Sequence, residues 1–167
     1  MARILMVIAS RDFRDEEYLV PRAAFEAAGC EVTVASSGVG RAKGLFGAWV
    51  PIDRTLATCR AVEFDAVVFV GGTGAVEYFD SRTAHRVCRE AVEANRVLGA
   101  LCVAPSILAN AGVLEGLRAT CYPTQEQHLS DCGAVLAGTP VATAGRVITG
   151  DGPNSAAAFA KAVLAAL

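Results

Sequence analysis

Histidine is scarce in this sequence, and the cysteines never form a C-x-x-C pair. Only two histidines, His85 and His128, are present among 167 residues. Structural zinc sites need Cys and His ligands clustered at short spacings, and we therefore expect no metal. The six cysteines are scattered along the chain, mostly in or beside predicted strands and helices, where a free thiol packs as a small hydrophobic group. We expect all of them to be reduced, as in a cytosolic compartment.

The sequence also has no strong charge excess and no long apolar run. Its formal net charge is -2, which gives no reason to expect nucleic acid or an anionic membrane as a partner. No apolar run approaches the roughly 20 residues that a membrane-spanning helix needs. The amino-terminal stretch MARILMVIASRDF has neither the long apolar segment nor the small-residue cleavage site of a signal peptide. The expected location is the cytoplasm.

The remaining composition predicts one globular domain. Hydrophobic residues make up 53% of the chain and charged residues 19%, as is typical of a folded protein. The chain is long enough to bury one sizeable core, and no internal repeat, low-complexity tract or linker divides it. We therefore expect a single domain over residues 1–167.

Alternating strand and helix patterns predict how this domain is built. The predicted strands are 3–9, 30–36, 64–72, 97–101, 119–123, 134–138 and 146–150, and the predicted helices are 15–29, 81–96, 106–114 and 153–167. Pro21 lies inside the first helix and predicts a kink or a late helix start. The glycine-rich residues 37–53 predict a loop or a short hairpin. Because parallel strands need crossover connections, this order predicts a doubly wound, mainly parallel α/β sheet.

Cys102 lies between the buried strand 97–101 and the helix that follows it. In an open α/β sheet, ligands and chemistry collect at this carboxyl end of the strands. A helix amino terminus favours a thiolate through its dipole and its free N–H groups, so Cys102 is a candidate nucleophile. The pattern alone leaves open the alternative that Cys102 is a small buried residue.

Two further segments reach the same edge of the predicted sheet. Gly71 and Gly72 end one strand, and Glu16 and Glu17 follow the first strand by a few residues. The backbone N–H groups of the Gly72 turn and of Val103 can stabilise a developing oxyanion. Together these groups form a candidate active site around the thiol.

Four segments, in order, carry a specific resemblance. They are DEEYLVP (15–21), VVFVGGTGA (67–75), GALCVAPSILANAGVL (99–114) and VITGDGPNSAAAFAKAVLAAL (147–167). The sequence resembles the ThiJ/PfpI superfamily, which includes the parkinsonism-associated deglycase, PfpI-type intracellular proteases and glutathione-independent glyoxalases. The resemblance implies a flavodoxin-like three-layer α/β sandwich with a cysteine nucleophile elbow and no cofactor. It also implies a homodimer or a larger homo-oligomer.

The resemblance implies roles for individual residues. Cys102 is the expected nucleophile, and Glu17, four residues before Pro21, corresponds to the glutamate that touches the sulfur. Gly72 and Val103 are the expected oxyanion-hole donors. A protonated Glu17 can donate a hydrogen bond to a thiolate, whereas an ionised Glu17 raises the thiol pKa. We therefore expect Glu17 to be neutral near pH 7 and to titrate as a pair with Cys102.

The sequence departs from the family pattern at several positions. Val103 replaces the histidine that follows the nucleophile in PfpI-type proteases, and Asp151 replaces an arginine in the carboxyl-terminal motif. Tyr122 stands where the deglycase branch has a histidine. Tyr122 and Gly71 are the candidate substrate-binding residues, and Glu16 is expected to be a solvated charge at a helix start.

Three functions follow as expectations. The favoured one is a cofactor-independent cysteine enzyme acting on small reactive carbonyls, such as methylglyoxal or glyoxal, or on their adducts with protein. The alternative is a non-catalytic redox-sensing or chaperone-like stress protein in which Cys102 is oxidised. A PfpI-type cysteine peptidase is disfavoured, because Val103 cannot act as a base and leaves only the distant His128.

Overall fold

The computed structural model describes all 167 residues. The strands are β1 Arg3–Val7, β2 Arg11–Phe13, β3 Glu31–Ser36, β4 Arg41–Gly44, β5 Trp49–Pro51, β6 Arg54–Thr55, β7 Ala66–Phe69, β8 Val97–Leu101, β9 Arg118–Ala119, β10 Val135–Leu136, β11 Val141–Ala144 and β12 Val147–Gly150. The α-helices are α1 Asp15–Ala27, α2 Arg82–Glu93, α3 Pro105–Asn110, α4 Glu126–Asp131 and α5 Ala156–Ala166. None of these helices combines the length and the apolar character that crossing a bilayer requires.

The main sheet has seven strands in the order β11-β12-β8-β7-β1-β3-β6. All neighbours pair in parallel except β11 and β12, which are antiparallel. Every residue of β7 and β8 is buried, as is typical of parallel strands covered on both faces. Helix α1 packs against α5 and α2 packs against α3, with the sheet as the middle layer. The predicted α/β sandwich with a mainly parallel sheet is confirmed.

Helix α1 begins at Asp15 and continues through Pro21, so the alternative of a late helix start is wrong. Pro21 lacks the N–H that would bond the carbonyl of Glu17, one turn earlier. The Asp15 carboxylate accepts hydrogen bonds from the N–H groups of Phe46 and Ala48, each at 2.9 Å. These two bonds hold the start of α1 against the turn between β4 and β5.

The glycine-rich segment 37–53 contains an antiparallel hairpin of β4 and β5, in which Arg41 pairs with Pro51. The predicted short hairpin is therefore confirmed. Strand β2, which the sequence did not predict, pairs in parallel with β4 and completes a separate three-stranded sheet.

The sequence patterns were least informative between residues 110 and 150. Helix α3 ends at Asn110 rather than at 114, and Gly112 adopts a φ of +81° just beyond it. The strand predicted for 119–123 is wrong beyond Ala119, because Pro123 begins a short 3-10 turn. Strands β9 and β10 form a two-stranded parallel sheet of their own. Strand β11, which was not predicted, forms one edge of the main sheet.

Candidate active site at the turn between β8 and α3

Cys102 occupies a strained turn directly after β8. Its φ is +63°, a left-handed conformation that is uncommon for residues other than glycine. The Cys102 N–H donates to the Gly150 carbonyl at 2.9 Å, and the Cys102 carbonyl accepts from the Tyr122 N–H at 2.7 Å. Such backbone conformations cost about 1–3 kcal/mol and persist where the surroundings enforce them. The predicted cysteine elbow is present and is tied to the end of β12.

The Glu17 side chain is fully buried and interacts with the Cys102 thiol. The Gly71 N–H donates to Glu17 Oε1 at 3.0 Å, and Oε2 has no nitrogen or oxygen partner. Burial raises the pKa of Glu17 to about 7, although the Cys102 side chain and the Gly71 N–H act in the opposite direction. A buried carboxylate without full pairing is costly, and a proton on Oε2 lowers that cost by removing the charge. This carboxyl is therefore suited to hold and release a proton near neutral pH.

The pKa of the Cys102 thiol is raised to about 12, first by burial and then by the charge and the hydrogen bond of Glu17. The backbone N–H groups of Gly72 and Val103 lower it. The expectation that the helix dipole makes this thiol acidic is wrong, because the sulfur is buried and α3 begins only at Pro105. Protonation of Glu17 removes its repulsion of the thiolate, so the two groups titrate as one pair.

Two glycines allow the turn after β7 to approach this pair closely. A Cβ on Gly71 would lie 2.4 Å from Glu17 Oε1 and 2.7 Å from Cys102 Cβ. Gly72 has a φ of +102°, and a Cβ there would lie 2.4 Å from the Arg14 backbone nitrogen. Gly71 thus positions Glu17 through its N–H and its lack of a side chain. Its contact with substrate, and the oxyanion roles of Gly72 and Val103, stay predictions.

A surface cavity of about 550 Å³ lies beside the elbow and is lined by Arg14, Tyr122, Asp151 and Asn154, among others. The hydrogen bond from the Tyr122 N–H to the Cys102 carbonyl places this cavity next to the turn. The structure therefore brings the candidate substrate residue Tyr122 together with Asp151. The Asp151 carboxylate accepts a hydrogen bond from the Ser155 hydroxyl.

Arg14 is a candidate site residue that the sequence did not indicate. Its Nε donates to Glu16 Oε2 at 2.7 Å, and its guanidinium lies 4.8 Å from the centre of the Phe46 ring. The charge of Arg14 lowers the pKa of Glu17. Glu16 is therefore the partner of a site arginine rather than only a solvated charge. No motif marks an arginine before an acidic helix start, and its position depends on how the chain turns from β2 into α1.

His128 is not brought to Cys102. Its Nε2 lies 2.5 Å from Asn110 Oδ1 and 3.7 Å from Cys132 Sγ. The structure therefore gives no support to His128 as a base for the elbow thiol.

A thiol on a strained strand-to-helix turn, paired with a buried carboxyl at the edge of a parallel sheet, defines a cysteine-elbow protein of the three-layer α/β class. Residues 2–166 match the DJ-1/PfpI family, and the chain belongs to that family. The crystal structure of a ThiJ/PfpI domain protein from Brachyspira murdochii has a TM-score of 0.96 at 34% identity, covering 98% of this chain and 95% of that one.

Curated relatives extend the comparison. An uncharacterized protein of Methanocaldococcus jannaschii is 38% identical over 169 residues, covering 99% of this chain and 82% of that protein. A Pyrococcus horikoshii protein named as a deglycase is 29% identical over 129 residues, covering 77% of this chain and 78% of that protein. A Caenorhabditis elegans protein named as a glutathione-independent glyoxalase is 25% identical over 163 residues, covering 98% and 87%.

Proposed function

We propose that this protein is a cofactor-independent cysteine enzyme acting on small reactive carbonyls, such as methylglyoxal or glyoxal, or on their adducts with protein. The observation that carries the proposal is the buried pairing of Cys102 with Glu17, because a thiol beside a carboxyl that titrates near neutral pH supports nucleophilic attack coupled to proton transfer. The deglycase and glyoxalase names of two relatives support the same reaction class.

The first step joins the Cys102 sulfur to the aldehyde carbon. The reactive form of the pair holds a thiolate beside a protonated Glu17. As the carbon–sulfur bond forms, the electron pair of the carbonyl bond moves to oxygen, where the N–H groups of Gly72 and Val103 stabilise the charge. Glu17 then gives its proton to that oxygen, which completes a hemithioacetal and leaves a carboxylate.

The second step uses this carboxylate as a base. For a 2-oxoaldehyde, Glu17 removes the hydrogen from the carbon bound to sulfur as a proton and delivers a proton to the neighbouring carbonyl carbon, while the hydroxyl proton of the hemithioacetal passes to the oxygen of that carbonyl. The hemithioacetal thereby becomes the thioester of a 2-hydroxy acid, and water hydrolyses the thioester to free Cys102. The sum is addition of one water with no net oxidation or reduction, so that the scheme balances without a redox cofactor.

The same buried carboxyl favours one second candidate, a redox-sensing stress protein. Oxidation of Cys102 by peroxide to a sulfinate adds two oxygen atoms to the sulfur. A protonated Glu17 is placed to donate a hydrogen bond to such a group. This function has no substrate turnover, which separates it from the first.

A peptidase is the least supported reading. Val103 follows the nucleophile and cannot accept a proton, and His128 is bound to Asn110 and Cys132 instead. A Cys–His pair, the usual means of activating a cysteine for peptide cleavage, is therefore not assembled at Cys102 within this chain.

The deciding experiment follows methylglyoxal loss and 2-hydroxypropanoate formation by NMR for the wild-type protein and for Cys102→Ser. We expect many equivalents of product per protein from the wild type and background rates from the variant. Loss limited to one equivalent, or equal loss with both proteins, rejects the enzymatic proposal. Conversion of Cys102 to the sulfinate under peroxide, without turnover, then favours the sensing function.

A further inference from the structure

The second step of the proposed reaction places negative charge on a substrate oxygen that has no assigned partner. When Glu17 removes the proton from the carbon bound to sulfur, the electron pair of that C–H bond forms a carbon–carbon double bond. The electron pair of the neighbouring carbonyl then moves to its oxygen, which gives an enediolate. The N–H groups of Gly72 and Val103 serve the first oxygen, so a further donor beside Glu17 would lower the barrier of this step.

The backbone of Arg14 is tied to the groups that position Glu17. The Arg14 N–H donates to the Gly71 carbonyl at 2.9 Å, and the Gly71 N–H in turn donates to Glu17 Oε1 at 3.0 Å. The Arg14 carbonyl accepts from the Glu17 N–H at 3.1 Å. The position of the Arg14 backbone relative to the proton carrier is therefore fixed at two points.

The Arg14 side chain lines the cavity beside the elbow and has unused donors. Its Nε donates to Glu16 Oε2 at 2.7 Å, and its guanidinium lies 4.8 Å from the centre of the Phe46 ring. Its two Nη groups donate to no protein atom. Tyr122 lines the same cavity, and its N–H binds the Cys102 carbonyl. Because a guanidinium presents its donors in a rigid planar fork, the Nη groups are available to a ligand in this cavity.

The charges in the cavity favour a negative oxygen on the Arg14 side. The ion pair with Glu16 reduces the net charge of Arg14 but does not occupy its Nη groups. The hydrogen bond to Glu16 raises the pKa of Arg14, and the charges of Glu17 and Cys102 raise it further, so the guanidinium stays protonated. Asp151 also lines the cavity, and its carboxylate repels an anion.

We propose that Arg14 is a further catalytic residue, which donates from its Nη groups to the second carbonyl oxygen of a 2-oxoaldehyde as that oxygen becomes negative. The proposal rests on the reaction proposed above. Glu17 then delivers a proton to the second carbon, the hydroxyl proton of the first oxygen passes to the second oxygen, and Arg14 keeps its own protons. The preferred substrate class is therefore an aldehyde with an adjacent carbonyl, because a simple aldehyde offers Arg14 no second oxygen.

The test measures kcat for methylglyoxal by NMR in the wild type and in variants of Arg14. Arg14→Met removes the charge and the donors, and we expect it to lower kcat by about 100-fold. Arg14→Lys keeps the charge without the planar fork and should lower kcat by about 10-fold. The matched control is Arg11→Met, which removes an exposed arginine that does not line this cavity. It should change kcat by less than about 3-fold.

Two further readouts assign the loss to the second step. Methylglyoxal should protect Cys102 of Arg14→Met from iodoacetamide within several-fold of the wild type, because addition of the thiol does not use Arg14. Deuterium at the aldehyde carbon should slow turnover of Arg14→Met at least as much as turnover of the wild type, since breakage of this bond limits the variant.

A pH profile separates direct contact from an effect through Glu17. The charge of Arg14 lowers the pKa of Glu17, so its removal raises that pKa. A role exerted only through Glu17 would move the profile of Arg14→Met to higher pH and restore kcat there. Direct contact with substrate leaves kcat low on both sides of the Glu17 pKa.

The outcomes distinguish this proposal from the one on which it rests. A wild type without turnover rejects both. Turnover by the wild type, with a folded Arg14→Met that reaches the same kcat at any pH, overturns the role of Arg14 alone. A large loss in Tyr122→Phe without one in Arg14→Met also overturns it and assigns the oxygen to the phenol. Thermal unfolding identifies folded variants, and Arg14→Lys decides if Arg14→Met does not fold.

Discussion

The buried Glu17 carboxyl meets the Cys102 thiol with one oxygen held by the Gly71 N–H at 3.0 Å and the other without a nitrogen or oxygen partner. Glu17 comes from α1, the donor from the turn after β7, and the sulfur from the turn after β8. Burial moves the pKa values of both groups upward, to about 7 for Glu17 and about 12 for Cys102. The Glu17 carboxyl therefore loses its proton near neutral pH. A thiolate at Cys102 is favoured only while Glu17 is protonated, because an ionised Glu17 repels it.

Replacement of Glu17 by Gln should abolish proton transfer while leaving the Cys102 thiol accessible to reagents. Gln keeps the size of the side chain and can still accept from the Gly71 N–H, but it cannot transfer a proton. We expect Glu17→Gln to lower carbonyl turnover by about 100-fold or more, while Cys102 alkylation by iodoacetamide stays within several-fold of the wild type.

The matched control for this substitution is Glu16→Gln. It removes the ion pair with Arg14 but no group that contacts the sulfur, and it should change turnover by less than about 3-fold. Equal losses from both substitutions, measured as kcat for methylglyoxal, would show that general charge at the start of α1 is responsible rather than Glu17.

The raised pKa of Glu17 predicts a pH dependence of stability. An unfolded Glu17 releases its proton near its ordinary pKa of 4.5, whereas the folded protein retains it up to about pH 7. The folded state thus binds more protons between these values, and stability falls as the pH rises through this window. The loss is on the order of 3 kcal/mol and is complete above about pH 7.

Urea unfolding at pH 4.5 and pH 8 measures this effect. The free energy of unfolding of the wild type should fall more than that of Glu17→Gln, because the amide does not titrate. Parallel pH profiles for the two proteins would mean that the carboxyl is not titrating differently in the folded and unfolded chains.

Gly71→Ala should disturb the site through sterics alone. The added Cβ would lie 2.4 Å from Glu17 Oε1 and 2.6 Å from the Leu101 carbonyl oxygen, so that either the turn or the carboxyl must move. We expect a loss of roughly 2 kcal/mol in stability and a large fall in turnover. Gly38→Ala is the control, since nothing lies within 4 Å of its added Cβ, and denaturant midpoints of the two variants give the comparison.

Peptide hydrolysis should stay at background. No histidine contacts Cys102, and Val103 cannot serve as a base. Casein digestion and release of a fluorescent group from a peptide amide both check this expectation. Cleavage that disappears in Cys102→Ser would contradict it and require a base from outside this chain.

The sequence predicted the parts of this site that lie at the ends of regular elements. Cys102, Gly72 and Glu17 follow buried strands or open a helix, and apolar runs with turn glycines are readable without a structure. The resemblance then indicated which of two adjacent acids meets the sulfur, a distinction that spacing alone does not make.

The remaining features depend on tertiary packing. The prediction of an acidic Cys102 thiol is wrong because a local sequence pattern carries no information on how deeply a thiol is buried or on which carboxyl faces it. Arg14 reaches the site only because the chain turns sharply after β2. The contact of His128 with Asn110 joins two helices through side-chain amide chemistry, for which an isolated sequence has no signal.

The two hydrogen bonds from Phe46 and Ala48 to Asp15 give the hairpin of β4 and β5 a role beyond its own pairing. Asp15 lies two residues before Glu17 on α1, and a Cβ at Gly44 would already collide with the Asp15 carboxylate at 2.3 Å. The position of the hairpin tip relative to α1 is therefore fixed, unlike that of an ordinary surface loop. An insertion or deletion between residues 44 and 48 would displace Glu17, the proposed proton carrier, without replacing it. We therefore expect the length of this loop to vary little among relatives that keep the proposed chemistry.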